Sequence, residues 1–270
     1  MSIFEDTLDY YSMNNKLTNS NIYYKTIFAL SILIINLFAN SPIAPIFILI
    51  FCSILTVYVA GISKKFYLTF LAVPFAFAFI TVIFMAFFFG SGSQIWSLGI
   101  FGWGVTADGL NRGVLVFFKV MGGFSALAFL ILTTPANNVF KVFDDMHFPK
   151  IFTDLAILIY RYIFVFLDVT NTMYNSQKTR LGYSTYKSWL RCLGELAGMI
   201  FIRTWEQGET SYQALAARGY TGELNFVHVG SSIHDIPLTH WVALIIFLVG
   251  LCYFIYITGS INVVPYLIHP

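Results

Sequence analysis

The sequence predicts an all-α fold. It reads as a polytopic integral membrane protein with about five transmembrane helices and two or three long helices on the cytosolic side. Three observations lead there. Of the 270 residues, 58% are hydrophobic and only 10% charged, against about 25% charged in soluble domains. Apolar runs recur at a length suited to a bilayer. One extended stretch, between residues 134 and 239, is charged but lacks strand-like alternation.

The first 21 residues are polar, with Glu5, Asp6 and Asp9, and lack the charged-then-apolar pattern of a cleaved signal. Thr26 to Asn40 is apolar but short and closes at Ser41-Pro42. Pro45 to Ala60 follows at once, so the two predict a tight helical hairpin whose second arm stops at Gly61. Phe66 to Phe89 is a third span, with Pro74 as an internal kink. Gly109 to Thr133 is a fourth, carrying Arg112 and Lys119 in its first half, and His240 to Tyr256 is the last. The resulting division is a polar N-terminus at 1–24, four membrane helices at 25–133, a cytosolic region at 134–239, and the last span with the C-terminus at 240–270.

Lysine and arginine counts in short loops set orientation. Ser63-Lys64-Lys65 is basic and is placed in the cytosol. The Gly90 to Asp108 loop has no lysine or arginine, carries Trp96 and Trp103, and is placed outside. The N-terminus is then cytosolic. Nine of the fifteen basic residues fall between Lys141 and Arg218, which supports a cytosolic placement for that region.

Within it, a short amphipathic piece covers Val139 to Met146. Pro149 suits the start of a helix running from Lys150 to about Thr179, roughly 40 Å at 1.5 Å per residue. Asp154, Arg161, Asp168 and Asn175 recur every seven residues and share one stripe, either solvated or facing a polar protein surface. A second long helix is expected from Lys187 to Arg218. Gly194 and Gly198 on it would permit a close crossing by the first.

The two helix ends read alike. Gln177-Lys178-Thr179-Arg180-Leu181-Gly182-Tyr183 closes one, and Leu215-Ala216-Ala217-Arg218-Gly219-Tyr220 closes the other. Glycine just past a helix supports a left-handed cap and arginine in the last turn complements the helix dipole, so capping alone could explain each end. Arginine also suits paired hydrogen bonds to a partner's carboxylate.

Over most of its length, from the polar N-terminus to the last span and most specifically from Tyr160 to Tyr220, the chain resembles the transmembrane T component of energy-coupling factor transporters, closest to the branch serving cobalt and nickel uptake. The likeness rests on Ile159-Tyr160-Arg161-Tyr162-Ile163-Phe164 with Asp168, on the Gln177 to Tyr183 end, on Ile202-Arg203-Thr204-Trp205-Glu206-Gln207-Gly208-Glu209, and on Tyr212 to Tyr220. The resemblance implies a non-catalytic membrane subunit. Its coupling helices would dock through two Ala-Arg-Gly-type motifs on two copies of a cytosolic ABC-type ATPase. Arg180, Gly182, Ala217, Arg218 and Gly219 would make those contacts, and Arg161, Asp168, Arg203, Glu206 and Glu209 would support the helices. It further implies a separate substrate-binding membrane subunit that holds Co²⁺ or Ni²⁺. The ATP sits on the ATPases, and this chain carries no cofactor or metal. The second motif is complete. The first departs, with Thr179 in place of alanine and Leu181 between Arg180 and Gly182, which leaves its helix-end geometry open. Arg218 is expected to be the firmer contact.

Other classes fit less well. A net charge of +2 supplies no dense basic face for nucleic acid. Cys52, Cys192 and Cys252 lie too far apart for a CxxC pair, and no Walker A loop exists. The alternative of another class is a membrane enzyme using His228 and His234, with Asp235 as a carboxylate that would orient His234. A spacing of six does not put both histidines on one helix face, and His147, His240 and His269 add no metal motif. A cation channel would need polar residues along several spans, and the first three carry little beyond Asn36.

Overall fold

The computed structural model describes residues 10–18, 20–89, 94–97, 104–145, 149–220 and 237–259. The chain separates into two compact units, one of residues 3–136 with 230–270 and one of residues 137–229.

In the first unit, α1 spans Ile22–Leu37. It starts four residues before the expected Thr26 because the Asn21 side-chain oxygen accepts the Tyr23 N–H at 3.0 Å and caps the helix there. Helix α2, Ile43–Ile54, runs on into a π-helical turn at Leu55–Val59 and ends before Gly61, whose φ is +80°. Helix α3 is Lys64–Phe88 with Pro74 inside it, and α4 is Ala107–Thr133. Between them lies a short hairpin that leaves the all-α class unchanged. Strands β1 (Gln94–Ser97) and β2 (Gly104–Thr106) pair antiparallel, Ser97 opposite Gly104, with a bulge between Gln94 and Trp96. Glycines at 90, 92, 99, 102 and 104 gave that stretch the look of a plain loop.

Helices α3, α4 and α8 (Leu238–Thr258) are long and apolar enough to cross a membrane. Helices α1 and α2 are shorter. The 16 residues of α1 reach about 24 Å at 1.5 Å per residue, against a hydrocarbon core of about 30 Å. Side chains such as Phe77, Phe79 and Ile80 on α3 and Ile245, Ile246 and Val249 on α8 are exposed, and lipid is the solvent that suits them.

Helix α4 is central. One buried cluster joins Phe28, Ile32, Ile48, Cys52, Phe129, Leu244 and Leu251 from α1, α2, α4 and α8. A second joins Tyr67, Leu71, Met121, Ala128 and Leu132 from α3 and α4 with Ala60 and Ile62. Missing side chains bring the helices this close. A Cβ on Gly109 would sit 2.7 Å from the Met85 carbonyl, and one on Gly122 would sit 2.9 Å from the Pro45 carbonyl. Several polar side chains in this apolar bundle bond to nearby backbone carbonyls. Asn36 Nδ2 donates to the Lys119 carbonyl at 2.8 Å, and Lys119 Nζ donates to the Leu37 carbonyl at 3.0 Å. Lys25 Nζ donates to the Leu17 and Thr133 carbonyls at 3.0 and 2.9 Å. Lysine suits carbonyls left open at helix ends.

The second unit holds most of α5 (Ala136–Asp145), with α6 (Lys150–Thr179) and α7 (Tyr186–Ala217). The last two have 30 and 32 residues, about 45 and 48 Å long. They lie side by side and antiparallel. Gln177 Nε2 donates to the Cys192 carbonyl at 3.2 Å, and fifteen residues back along α6 the Tyr162 hydroxyl meets the Ser211 hydroxyl. Two such levels, about 22 Å apart along α6, require near-alignment of the axes. The expected crossing through Gly194 and Gly198 is not used. A Cβ on either would meet nothing within 4 Å.

Candidate functional site

Both long helices end in the same backbone device. At the end of α7 the Tyr220 N–H donates to the Leu215 carbonyl at 3.1 Å and the Gly219 N–H to Ala216 at 3.0 Å. Gly219 has φ +78°. This is the Schellman cap, in which the residue after the cap turns left-handed and recovers two open carbonyls. At the end of α6 the Gly182 N–H donates to the Gln177 carbonyl at 2.9 Å and the Leu181 N–H to Lys178 at 3.0 Å, with Leu181 at φ +57°. The pattern matches bond for bond.

This corrects the register expected from sequence. Arg180 corresponds to Arg218, and the residue equivalent to Gly219 is Leu181, not Gly182. The arginines are the cap residues, with φ, ψ of −85°, 13° and −92°, 9°. A leucine in the left-handed region costs about 1–2 kcal/mol that glycine would not.

Gly182 has a different task. A Cβ there would lie 2.7 Å from Cys192 Sγ and 3.0 Å from the Gln177 carbonyl. Around it, Ser188 Oγ donates to the Gly182 carbonyl at 2.7 Å, the Tyr183 hydroxyl donates to Gln177 Oε1 at 2.6 Å, and the Tyr174 and Tyr183 rings lie 4.9 Å apart. The first end is therefore braced against the start of α7. The second stands clear, with nothing within 4 Å of a Cβ on Gly219.

Arg180, Arg218 and Ala217 are exposed. Among the described residues neither guanidinium has an ion pair or side-chain hydrogen bond, whereas Arg191 pairs with Glu195 at 3.0 Å. Because α6 and α7 are antiparallel, the two arginines stand at opposite ends of the pair, on the order of 45 Å apart.

Of the five residues expected to support the helices, the fold brings two together. Asp168 on α6 and Arg203 on α7 line one surface recess of about 300 Å³ with Val169, Thr172 and Met173. Arg161 is exposed, as are Glu206 and Glu209, and Glu209 accepts a hydrogen bond from Trp205 Nε1 at 2.9 Å along its own helix. Sequence reasoning missed the braces Gln177, Ser188, Cys192 and Ser211. Ser188, Cys192 and Ser211 carry no motif, Gln177 stands in one without a bracing role, and only the antiparallel pairing shows what they do. His228, His234 and Asp235 lie outside the described residues, as do His147, His269 and Trp103. His240 packs edge-on against Tyr24 with ring centroids 5.9 Å apart. Among the described residues no three of His, Cys, Asp or Glu gather as metal ligands.

A family profile described as "CbiQ: Cobalt transport protein" matches residues 13–229. The chain belongs to this CbiQ family of cobalt transport proteins. The match covers α1 to α7 and both arginine ends. The chain is 34% identical to an uncharacterized protein of Methanocaldococcus jannaschii over 262 residues, 96% of each chain. It is 34% identical to a putative fused cobalt transport protein CbiMQ of Methanocorpusculum labreanum, over 81% of this chain and 37% of that one. It is 25% identical to the cobalt transport protein CbiQ of Salmonella typhimurium, over 57% of this chain and 71% of that one. Membership agrees with the helical membrane architecture and identifies a component of transport, not a catalyst.

Proposed function

We propose that this chain is the energy-coupling membrane subunit of an ATP-driven cobalt importer. The single observation that carries the reading is the matched pair of exposed arginine caps at opposite ends of α6 and α7. One such cap is an ordinary helix end. Two with the same backbone hydrogen bonds, each bearing a guanidinium without a side-chain partner among the described residues, suit a partner that presents the same acidic groove twice. Two copies of a cytosolic ABC-type ATPase have that symmetry, with α5 to α7 and the N-terminus facing the cytosol. The fused CbiMQ relative supports a second partner in the membrane, of the CbiM type. ATP then sits on the ATPases and Co²⁺ on the substrate subunit.

The mechanism follows from differential contact. ATP closes the two ATPases and moves their grooves relative to each other. Helices anchored at Arg180 and Arg218 follow, and the substrate subunit feels the change only if its contacts with them differ between the two states. Cobalt is favoured over nickel by the family's description.

The test is the double variant Arg180→Glu with Arg218→Glu in the full chain. It should lose the co-purifying ATPase and cobalt uptake while inserting normally in the membrane. A double variant that still recovers the ATPase and transports cobalt would sink the proposal.

A further inference from the structure

Among the described residues Leu181 packs against little, being 74% exposed. It holds the left-handed backbone position of a helix cap, with φ +57°. Gly219 fills the identical position at the other end, so the cap itself requires no side chain there. A residue that keeps an unfavourable backbone angle while showing an apolar side chain to water points to use by something outside.

The surroundings hold the backbone next to that side chain in place. Its neighbour Gly182 is pressed against Cys192, Gln177 reaches the Cys192 carbonyl, and Ser188 holds the Gly182 carbonyl. The peptide on either side of Leu181 is fixed, and rigidity before binding reduces what association must spend on ordering. The preceding residue is Arg180, so a partner meets a cation and then a leucine.

We infer that Leu181 is an apolar docking anchor, seated in a leucine-sized pocket of the ATPase beside the acidic groove that takes Arg180. This rests on the docking role proposed above and adds to it an order of strength. The same pocket on the second ATPase faces Gly219 and stays unfilled. The α6 end is then the tighter contact and the α7 end the looser, the reverse of the order expected from motif completeness. A tight end and a loose end let the subunit stay attached to one ATPase while the other moves.

The experiment uses the full chain in lipid nanodiscs and the ATPase recovered with the wild-type chain. Arg218→Glu is the background, so that only the α6 end reports. In it, Leu181→Gly and Leu181→Ala should each weaken ATPase binding at least tenfold, and Leu181→Met should restore most of it. Leu181→Gly should leave the Tm of the chain unchanged or raise it, because glycine relieves the backbone angle, so weaker binding cannot be blamed on unfolding. If both variants bind like their background while adding Arg180→Glu abolishes binding, the anchor is refuted and the docking role stands. If no ATPase is recovered, or Arg180→Glu changes nothing, both are refuted.

Discussion

Gly182 and Cys192 touch so closely that a single added methyl would collide with the sulfur. The Cβ would lie 2.7 Å from Sγ. Gly182→Ala should therefore loosen the turn between α6 and α7 and weaken ATPase recovery through the Arg180 end. Cys192→Ala makes room, so the double variant should regain part of what Gly182→Ala loses. Partial recovery is expected because the Gln177 carbonyl, 3.0 Å from the same Cβ, stays in place. A double-mutant cycle on thermal unfolding measures the coupling, and strict additivity would show the contact to be unimportant.

The glycines of α7 should behave in the opposite way. Gly194 and Gly198 have open space where a Cβ would go. Alanine at either should raise stability by about 0.5–1 kcal/mol through backbone entropy alone. Thermal unfolding of the purified chain checks this. If Gly194→Ala leaves stability alone but impairs assembly, that face is occupied by a partner.

Gly109 should tolerate nothing. Its Cβ would lie 2.7 Å from the Met85 carbonyl and 2.8 Å from Thr106 Oγ1. Gly109→Val forces α3 and α4 apart, and backbone cannot swing aside as a flexible side chain can. Membrane-inserted yield and monodispersity in detergent should both fall sharply.

Lys119 closes the end of α1 by donating to the Leu37 carbonyl. Lys119→Met keeps the stem and removes the donor. It should cost about 1.5–3 kcal/mol, the range for a hydrogen bond to a charged group. Lys119→Arg should retain much of the wild-type Tm. Equal loss in both variants would mean that the stem's packing matters and the bond does not.

Much of this was legible in the residue order, and the gaps have physical causes. Helix α6 reads to its ends because Pro149 opens it and few breakers interrupt it before Thr179. Helix α1 was placed late because Tyr23, Tyr24 and Lys25 do not look like lipid-facing residues, and two of them are in fact buried in the bundle. Spacing showed that Gly194 and Gly198 permit a neighbour, and permission was mistaken for contact. The first arginine end was misaligned because glycine is the usual left-handed residue. Only the structure shows that Gly182 is already committed to Cys192, leaving the left-handed angle to Leu181. The position of Arg180 and Arg218 at the two helix ends is legible without coordinates, since both follow directly on the last helical residue.

Helix α7 fixes both how far apart the two guanidiniums stand and which way each is aimed. Each residue adds about 1.5 Å of span and about 100° of azimuth. A lone insertion would barely lengthen the helix but would swing Arg218 to a different compass bearing. A full turn would add about 5.4 Å and leave the bearing nearly unchanged. On the docking proposed above, a wider or narrower gauge between the two ATPase grooves is reached in steps of about one turn, and the length of α7 should track that separation as a quantised dimension.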